Sequence, residues 1–307
     1  MATRTAALGG RQPRSTSLRS FVQRYGVAYL FIAPFFVLYA VFGLYPVVYS
    51  FLLSFQDWTG VGPWKSVGLA NYWQYVLHED VFRRSLVNTV YYWIGLVPGM
   101  TLLALILAAV MNQPRLRLRG LFRTAYVLPY VTSVVSITVI FANLFDDQVG
   151  WINFILSSIG LPKVPWLRSV EWSKVSVILL VLWKWVGYNM MIMLAGLQSI
   201  SHEIYEVATI DGASPARRFL SITLPLMRPV VMFVAIMSTI GTFNTFAEPY
   251  LLTAGGPQYS STTPAIVLYS TAFQYGRLGA ASAISFIMAA LIIAVSLLQL
   301  RFGTREV

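Results

Sequence analysis

Cysteine is absent from the 307 residues, which excludes disulfides and thiolate metal sites within this chain. Histidine occurs only twice, at His78 and His202, far apart in hydrophilic stretches. Neither stands in the cluster a metal centre needs, so no metal site is expected. Charge is scarce as well: 11% of residues are charged, against about a quarter in soluble domains. So few charges could not cover a folded surface in water, and much of this surface must meet lipid. There is no G-x-x-x-x-G-K-[ST] phosphate loop, and hence none of the usual means of cradling ATP. Paired carboxylates, metal clusters and nucleophile–base patterns are missing too, so the chain is expected to be non-catalytic and to carry no cofactor of its own.

What the chain has in quantity is apolar length. Hydrophobic residues make up 57% and the mean hydropathy is +0.67. Six runs, at roughly 27–54, 86–111, 122–145, 175–198, 228–251 and 279–300, reach the ~20 residues a membrane-crossing helix requires. Backbone polar groups cannot go unsatisfied in lipid, and the alternating segments of a barrel are absent, so the runs predict helices. The expected fold is an all-α polytopic bundle with six transmembrane helices. The first run is too long for the ~7–15 apolar residues of a signal peptide and reads as a retained anchor. No solenoid-type repeat is visible.

The net charge of +11 would suit nucleic acid, but its distribution argues otherwise. Arg4, Arg11, Arg14, Arg19 and Arg24 precede the first run, and Arg115, Arg117, Arg119 and Arg123 follow the second. Arg217, Arg218 and Arg228 follow the fourth, with Arg301 and Arg305 in the tail. Half as many fall on the opposite side: Lys65, Arg83, Arg84, Lys163, Arg168, Lys174 and Arg277. This bias predicts both termini in the cytoplasm of a bacterial cell, with Trp58, Trp64, Trp73, Trp151, Trp166 and Trp172 in the outer interfacial belt. The expected organisation is a basic tail (1–25), a first helix with its outer segment (26–85), and a core (86–307). The tail has no apolar period and is expected to be unstructured or interfacial. Segment 146–173, with Pro162 and Pro165, is expected to make a short ordered excursion.

Two charges fall inside apolar runs, Lys184 and Glu248, and intramembrane charge is costly enough to be a functional hypothesis. They could pair across the bundle or face a watery cavity. Their neighbours are polar for lipid-embedded helices: Gly241, Thr242, Asn244 and Thr245 in one run, and Trp183, Trp185, Gly187, Tyr188 and Asn189 in the other. Amides and flat aromatic faces suit a polyhydroxylated ligand, although helix packing uses the same small and polar residues.

Between the fourth and fifth runs lies SISHEIYEVATIDGASPARRFLSITLPLMRP, residues 199–229. Ser201 can cap a helix with Glu203 in its first turn, and Ile204, Val207 and Ala208 share a face. Gly212 suits a left-handed stop. Ser214 and Pro215 then open a second helix, and Pro225 and Pro229 are expected to break or kink the return into the membrane. Local physics allows either an amphipathic hairpin lying on lipid or a projecting helix-turn-helix.

The spacing Glu206-Val207-Ala208, Gly212, then Ile222-Thr223-Leu224-Pro225 closely resembles the EAA loop of ABC importer permeases, with Val207 where Ala is usual. Asn88-Thr89, Gly120 to Thr124, Leu128-Pro129-Tyr130, Trp185 to Tyr188, Gly196-Leu197-Gln198 and Leu251 to Pro257 resemble the larger permease of maltose-type and glycerol-phosphate-type importers. The resemblance covers about residues 27 to 302. It implies the transmembrane domain of a type I importer, in which the hairpin is a coupling helix seated on a separate ATPase. Glu206, Ala208, Asp211, Gly212, Arg217, Ile222, Leu224 and Pro225 would form that contact. Trp183, Gly187 and Met190, with Gly241, Thr242, Asn244 and Thr245, match the stretches that line the sugar site. Lys184, Tyr188, Asn189 and Glu248 adjoin them. The implied partners are a second permease, a dimer of ATP-binding subunits carrying ATP and Mg, a solute-binding protein outside the membrane, and a sugar-like solute. Nucleic acid is not among them. The rival expectation is an ion-coupled carrier, which would show broken midplane helices and inverted repeats.

Overall fold

The computed structural model describes residues 18–113 and 116–303. The expectations for Arg4, Arg11, Arg14, Arg115 and Arg305 lie outside the described residues. The chain divides into two compact units, Met1–Leu52 and Leu53–Val307.

In the first unit α1 (Leu18–Tyr39) passes through a π turn at Ala40–Leu44 into α2 (Tyr45–Leu53), so helix begins within the tail expected to lack it. Phe31, Phe35, Phe36 and Phe42 are exposed along it, as an apolar helix surrounded by lipid requires.

The second unit opens with a segment of mixed structure. Two-residue strands β1 (Gln56–Asp57) and β2 (Lys65–Ser66) pair antiparallel, followed by α3 (Ala70–Trp73) and a π turn at Gln74–His78. Asn71, buried, ties them by donating to the carbonyls of Ser54 and Gln56 at 2.9 Å each. Then come α4 (Asp80–Met111), α5 (Arg119–Val131), α6 (Val134–Leu144), α7 (Trp151–Ser158) and α8 (Trp172–Gln198). The connection carries α9 (His202–Ile210) and α10 (Pro215–Arg218), a π turn at Phe219–Thr223, and α11 (Leu224–Phe243). The chain closes with α12 (Ala247–Thr253), α13 (Pro264–Tyr269), a π turn at Ser270–Gln274, and α14 (Leu278–Gly303).

Among the described residues, five helices are long and apolar enough to cross a membrane, at 29–53, 80–111, 172–198, 215–243 and 278–301. The expected third span is a broken pair, α5 and α6, bent by 97° at Thr132–Ser133. Six crossings therefore require counting that pair as one. The fifth run also differs from expectation. Helix ends at Phe243, and Glu248 stands on the separate helix α12 rather than at the end of a continuous span.

Small residues set the helix spacing. Gly95 and Gly99 of α4, one turn apart, lie against Ile178 and Leu182 of α8, where an added Cβ would come within 2.8 and 3.2 Å of those side chains. This is the close approach that small-xxx-small spacing permits in lipid. Buried around that contact are Tyr92, Leu96, Met100, Phe141, Val177 and Leu180. Further along, Ala104, Ala108, Met190, Met193, Met227 and Val234 join α4, α8 and α11. Segment 146–171 is ordered, as expected. Buried Asn153 of α7 accepts at Oδ1 from the Val164 amide (3.0 Å) and the Trp166 indole (3.1 Å).

Candidate functional site

Two places carry the chemistry. The first is the hairpin 199–223. Helix α9 ends in a paired motif: the Ala213 N–H bonds the Ala208 carbonyl (2.9 Å) and the Gly212 N–H bonds that of Thr209 (3.1 Å). Gly212 itself has φ +74°, a conformation that side chains with a Cβ resist. Ser214 then caps α10 by accepting from the Arg217 N–H at 3.3 Å, with Pro215 at the first helical position. Ser201 occupies the N-cap position of α9 but makes no side-chain cap bond. The two arms are tied by Arg218 Nη1 donating to Thr209 Oγ1 (2.7 Å) and by the hydroxyls of Tyr205 and Thr223 (2.9 Å).

The apolar face is presented outward. Ala208 is buried, but Ile204, Val207 and Ile210 are exposed, Ile210 to 85%, and so is Leu220. Glu206, Asp211 and Arg217 are exposed too, Glu206 accepting from His202 across one turn at 3.0 Å if that nitrogen is protonated. Ile222 is half-buried; Leu224 and Pro225 are exposed where α11 begins. Pro225 and Pro229 do not break the return. The residues from Pro215 to Phe243 form one 29-residue helix. The π turn, in which the Leu224 N–H reaches back to the Phe219 carbonyl, accommodates Pro225 within it.

The second place is a cavity of about 380 Å³ between α4, α5, α8, α11 and α12. Tyr188, Asn189, Gly241, Thr242, Asn244, Thr245 and Glu248 line it. Trp185, named with that polar and aromatic stretch, lines it as well, and so do Tyr130, Met100, Met237 and Ser238, which sequence did not single out as site residues. Tyr130 arrives because the α5–α6 break lies two residues beyond it. Tyr130 and Tyr188 stack at 4.6 Å, and Trp185 meets both edge-on at 5.1 and 6.1 Å, giving a continuous aromatic wall.

Four other expected residues lie behind or beside that wall. Trp183 is half-exposed and packs on Phe141 at 5.2 Å. At Gly187 an added Cβ would meet the Tyr126 carbonyl at 1.7 Å, so this glycine lets α5 and α8 touch. Met190 is fully buried in the core. Lys184 does not line the cavity; its Nζ donates to Glu248 Oε1 at 2.9 Å and lies 5.6 Å from the Trp185 ring. The two side chains are 12% and 9% exposed.

The wall carries both acceptors and donors, the donors including the Tyr130 and Tyr188 hydroxyls and the Trp185 indole N–H. Thr242 and Thr245 spend their hydroxyl donors on carbonyls one turn back (2.8 and 3.0 Å), and Asn244 spends one of its two amide N–H groups the same way (2.9 Å), so their oxygens remain available as acceptors. The buried Ser238 Oγ has no partner among the described residues. Among the described residues no three His, Asp or Glu gather to hold a metal.

Comparison with known proteins places this architecture. Residues 100–306 match the family described as binding-protein-dependent transport system inner membrane component. The lactose transport system permease protein LacF of Rhizobium radiobacter is 39% identical over 300 residues, covering 95% of this chain and 99% of that protein. The arabinooligosaccharides transport system permease protein AraP of Bacillus subtilis is 34% identical, covering 92% and 90%. The trehalose/maltose transport system permease protein MalF of Thermococcus litoralis is 32% identical, covering 90% and 93%. The fold is shared with a chain of a bacterial alginate ABC transporter solved with an alginate pentasaccharide-bound periplasmic protein. Its TM-score is 0.81 at 22% identity, over 94% of this chain and 97% of that one.

Proposed function

The chain belongs to the binding-protein-dependent transport system inner membrane components, and from that premise we propose that it forms half of a sugar pathway driven by ATP hydrolysis on a separate chain. The observation that carries this is the single helix Pro215–Phe243. One end belongs to the exposed hairpin and the other, through Thr242 and Gly241, to the cavity wall. A push on the hairpin is therefore delivered to the cavity without an intervening loop. Membership of this family leaves an ion-coupled carrier without support.

In this proposal the hairpin lies in the cytoplasm with both termini. Ile204, Val207, Ile210 and Leu220 insert into a groove of the ATP-binding subunit, with Glu206, Asp211, Arg217 and the start of α11 around them. ATP and Mg reside on that dimer. The cavity takes a hydroxyl-rich solute: acceptors on α11 meet its O–H groups while Tyr130, Trp185 and Tyr188 meet its C–H faces. Relatives named for lactose, arabinooligosaccharides and trehalose/maltose favour a sugar. An added Cβ at Gly241 would meet nothing within 4 Å, an open side that a second permease would close. At the opposite end, Arg83, Arg84 and Lys174 border a cleft of about 490 Å³ with Tyr259, a basic rim for the solute-binding protein.

The test is ATPase activity in proteoliposomes holding this chain, its permease partner, the ATPase and the binding protein. Stimulation should require both the binding protein and one sugar of a panel of lactose, maltose, trehalose and arabinooligosaccharides. Gly212→Trp should abolish ATPase association and uptake together. Retention of both would overturn the coupling role of the hairpin.

A further inference from the structure

Among the described residues, Glu248 is the only carboxylate or ammonium lining the cavity, and its charge is balanced by Lys184. Lys184, which does not line the cavity, donates to Oε1, and its ammonium also lies near the Trp185 face. Oε2 accepts no hydrogen bond from the described residues, while Glu248 borders the space. A solute in the cavity therefore meets a carboxylate first and an ammonium second. A buried ion pair held this way contributes little net stability over a neutral pair, so its retention inside lipid calls for a use other than stability.

We infer that the Lys184–Glu248 pair makes this cavity select uncharged, hydroxyl-rich solutes over anionic ones. This inference rests on the cavity being the solute site proposed above. Two independent features of the wall agree. Oε2 and the Thr242, Thr245 and Asn244 oxygens are acceptors, which a sugar's O–H groups satisfy. A carboxylate or phosphate has no donors to offer them and would be placed beside a like charge in a desolvated space. The donors of the wall, Ser238 Oγ and the Tyr130 and Tyr188 hydroxyls among them, are neutral: they can hydrogen-bond an anion but carry no charge to neutralise it. Lys184 would attract an anion, but its ammonium is held by the Glu248 carboxylate and does not line the cavity. Removing the Glu248 charge should therefore convert the site rather than merely weaken it, because the ammonium is then left without its counter-ion.

The test is displacement of radiolabelled lactose and maltose from the complete complex in nanodiscs, without binding protein so that its own selectivity does not intervene. Competitors are the neutral sugars and the carboxylated lactobionate and maltobionate. For the unmodified complex the acids should compete at least about tenfold more weakly than the sugars. In Glu248→Gln the preference should reverse. In Lys184→Met/Glu248→Gln, which leaves no unpaired charge and so guards against a misfolded single variant, sugars and acids should compete within about threefold. Equal competition in the unmodified complex, or unchanged preference in both variants, overturns the inference. If neither labelled sugar binds while loaded binding protein still stimulates the ATPase, the solute site lies elsewhere and the inference fails alone. If the ATPase is not stimulated by any sugar, the importer proposal itself fails.

Discussion

The two ends of the bundle handle their connections in opposite ways. At one end, the crossing from α12 to α13 finishes in a buried polar run: Ser260, Ser261, Thr262 and Thr263 are all inside, while Ala254, Gln258 and Tyr259 before them are exposed. Their polar groups are satisfied within the chain. Asn88 Nδ2 donates to the carbonyls of Tyr259 (2.8 Å) and Thr262 (2.9 Å), Tyr92 Oη to that of Ser261 (3.0 Å), and Thr263 Oγ1 to that of Thr245 (2.7 Å). At the other end, the hairpin is internally capped yet turns Ile204, Val207, Ile210 and Leu220 outward. A loop of polar residues is buried and a loop of apolar residues is exposed. The first is complete within this chain; the second presents what another chain would cover.

That contrast can be broken or sharpened by substitution. The largest effect is expected from Asn88→Leu, which strands the buried Thr262 carbonyl at roughly 1–3 kcal/mol and also removes the part-buried bond to Tyr259. The thermal midpoint of the purified chain should fall by roughly 5–15 °C, measured by fluorescence-detected size exclusion in detergent; an unchanged midpoint would show that the 253–263 crossing is not held by Asn88. Ile210→Glu should do the reverse. At an exposed position it should move stability by no more than about 0.5 kcal/mol, while weakening ATPase capture at least about tenfold, read by pull-down or surface binding. A stability loss equal to that of Asn88→Leu would erase the distinction. The smallest effect belongs to Ser214→Ala, which removes the cap on Arg217 and should cost about 1 kcal/mol locally. Hydrogen exchange should show it as faster opening confined to residues 215–218, with the 253–263 segment unaltered.

What the sequence made legible follows the same division. The hairpin's stop and restart depend on Gly212, Ser214 and Pro215 acting on near neighbours, so spacing reveals them. Its continuation does not. Pro225 and Pro229 read as breaks, whereas the π turn at Phe219–Thr223 shifts the hydrogen-bond register and keeps the helix whole. Hydropathy also averages over irregular backbone: it joined α5 to α6 across a 97° bend and α11 to α12 across Asn244–Phe246, since the few polar residues at each break are outweighed by their apolar flanks. Those breaks are what admit Tyr130 and Glu248 to the cavity. The burial of Ser260–Thr263 is not legible locally, because the partner Asn88 lies 174 positions from Thr262. Gly187 shows the limit from the other side. Its place among polar and aromatic residues suggested a ligand surface, but its missing side chain is needed for contact with the Tyr126 backbone.

The unbroken helix from Pro215 to Phe243 can also be considered as a rigid rod. With 29 residues rising about 1.5 Å each, it is about 43 Å long. Pivoted near one tip, a tilt of about 5° sweeps the other by about 4 Å, roughly one carbon–carbon contact distance. A displacement of a few ångströms at that tip thus suffices to part Thr242 and Gly241 from Tyr188 and Trp185. Leverage of this kind needs stiffness more than force, and it sets a mechanical reason for the chain to keep helix through a stretch that contains two prolines.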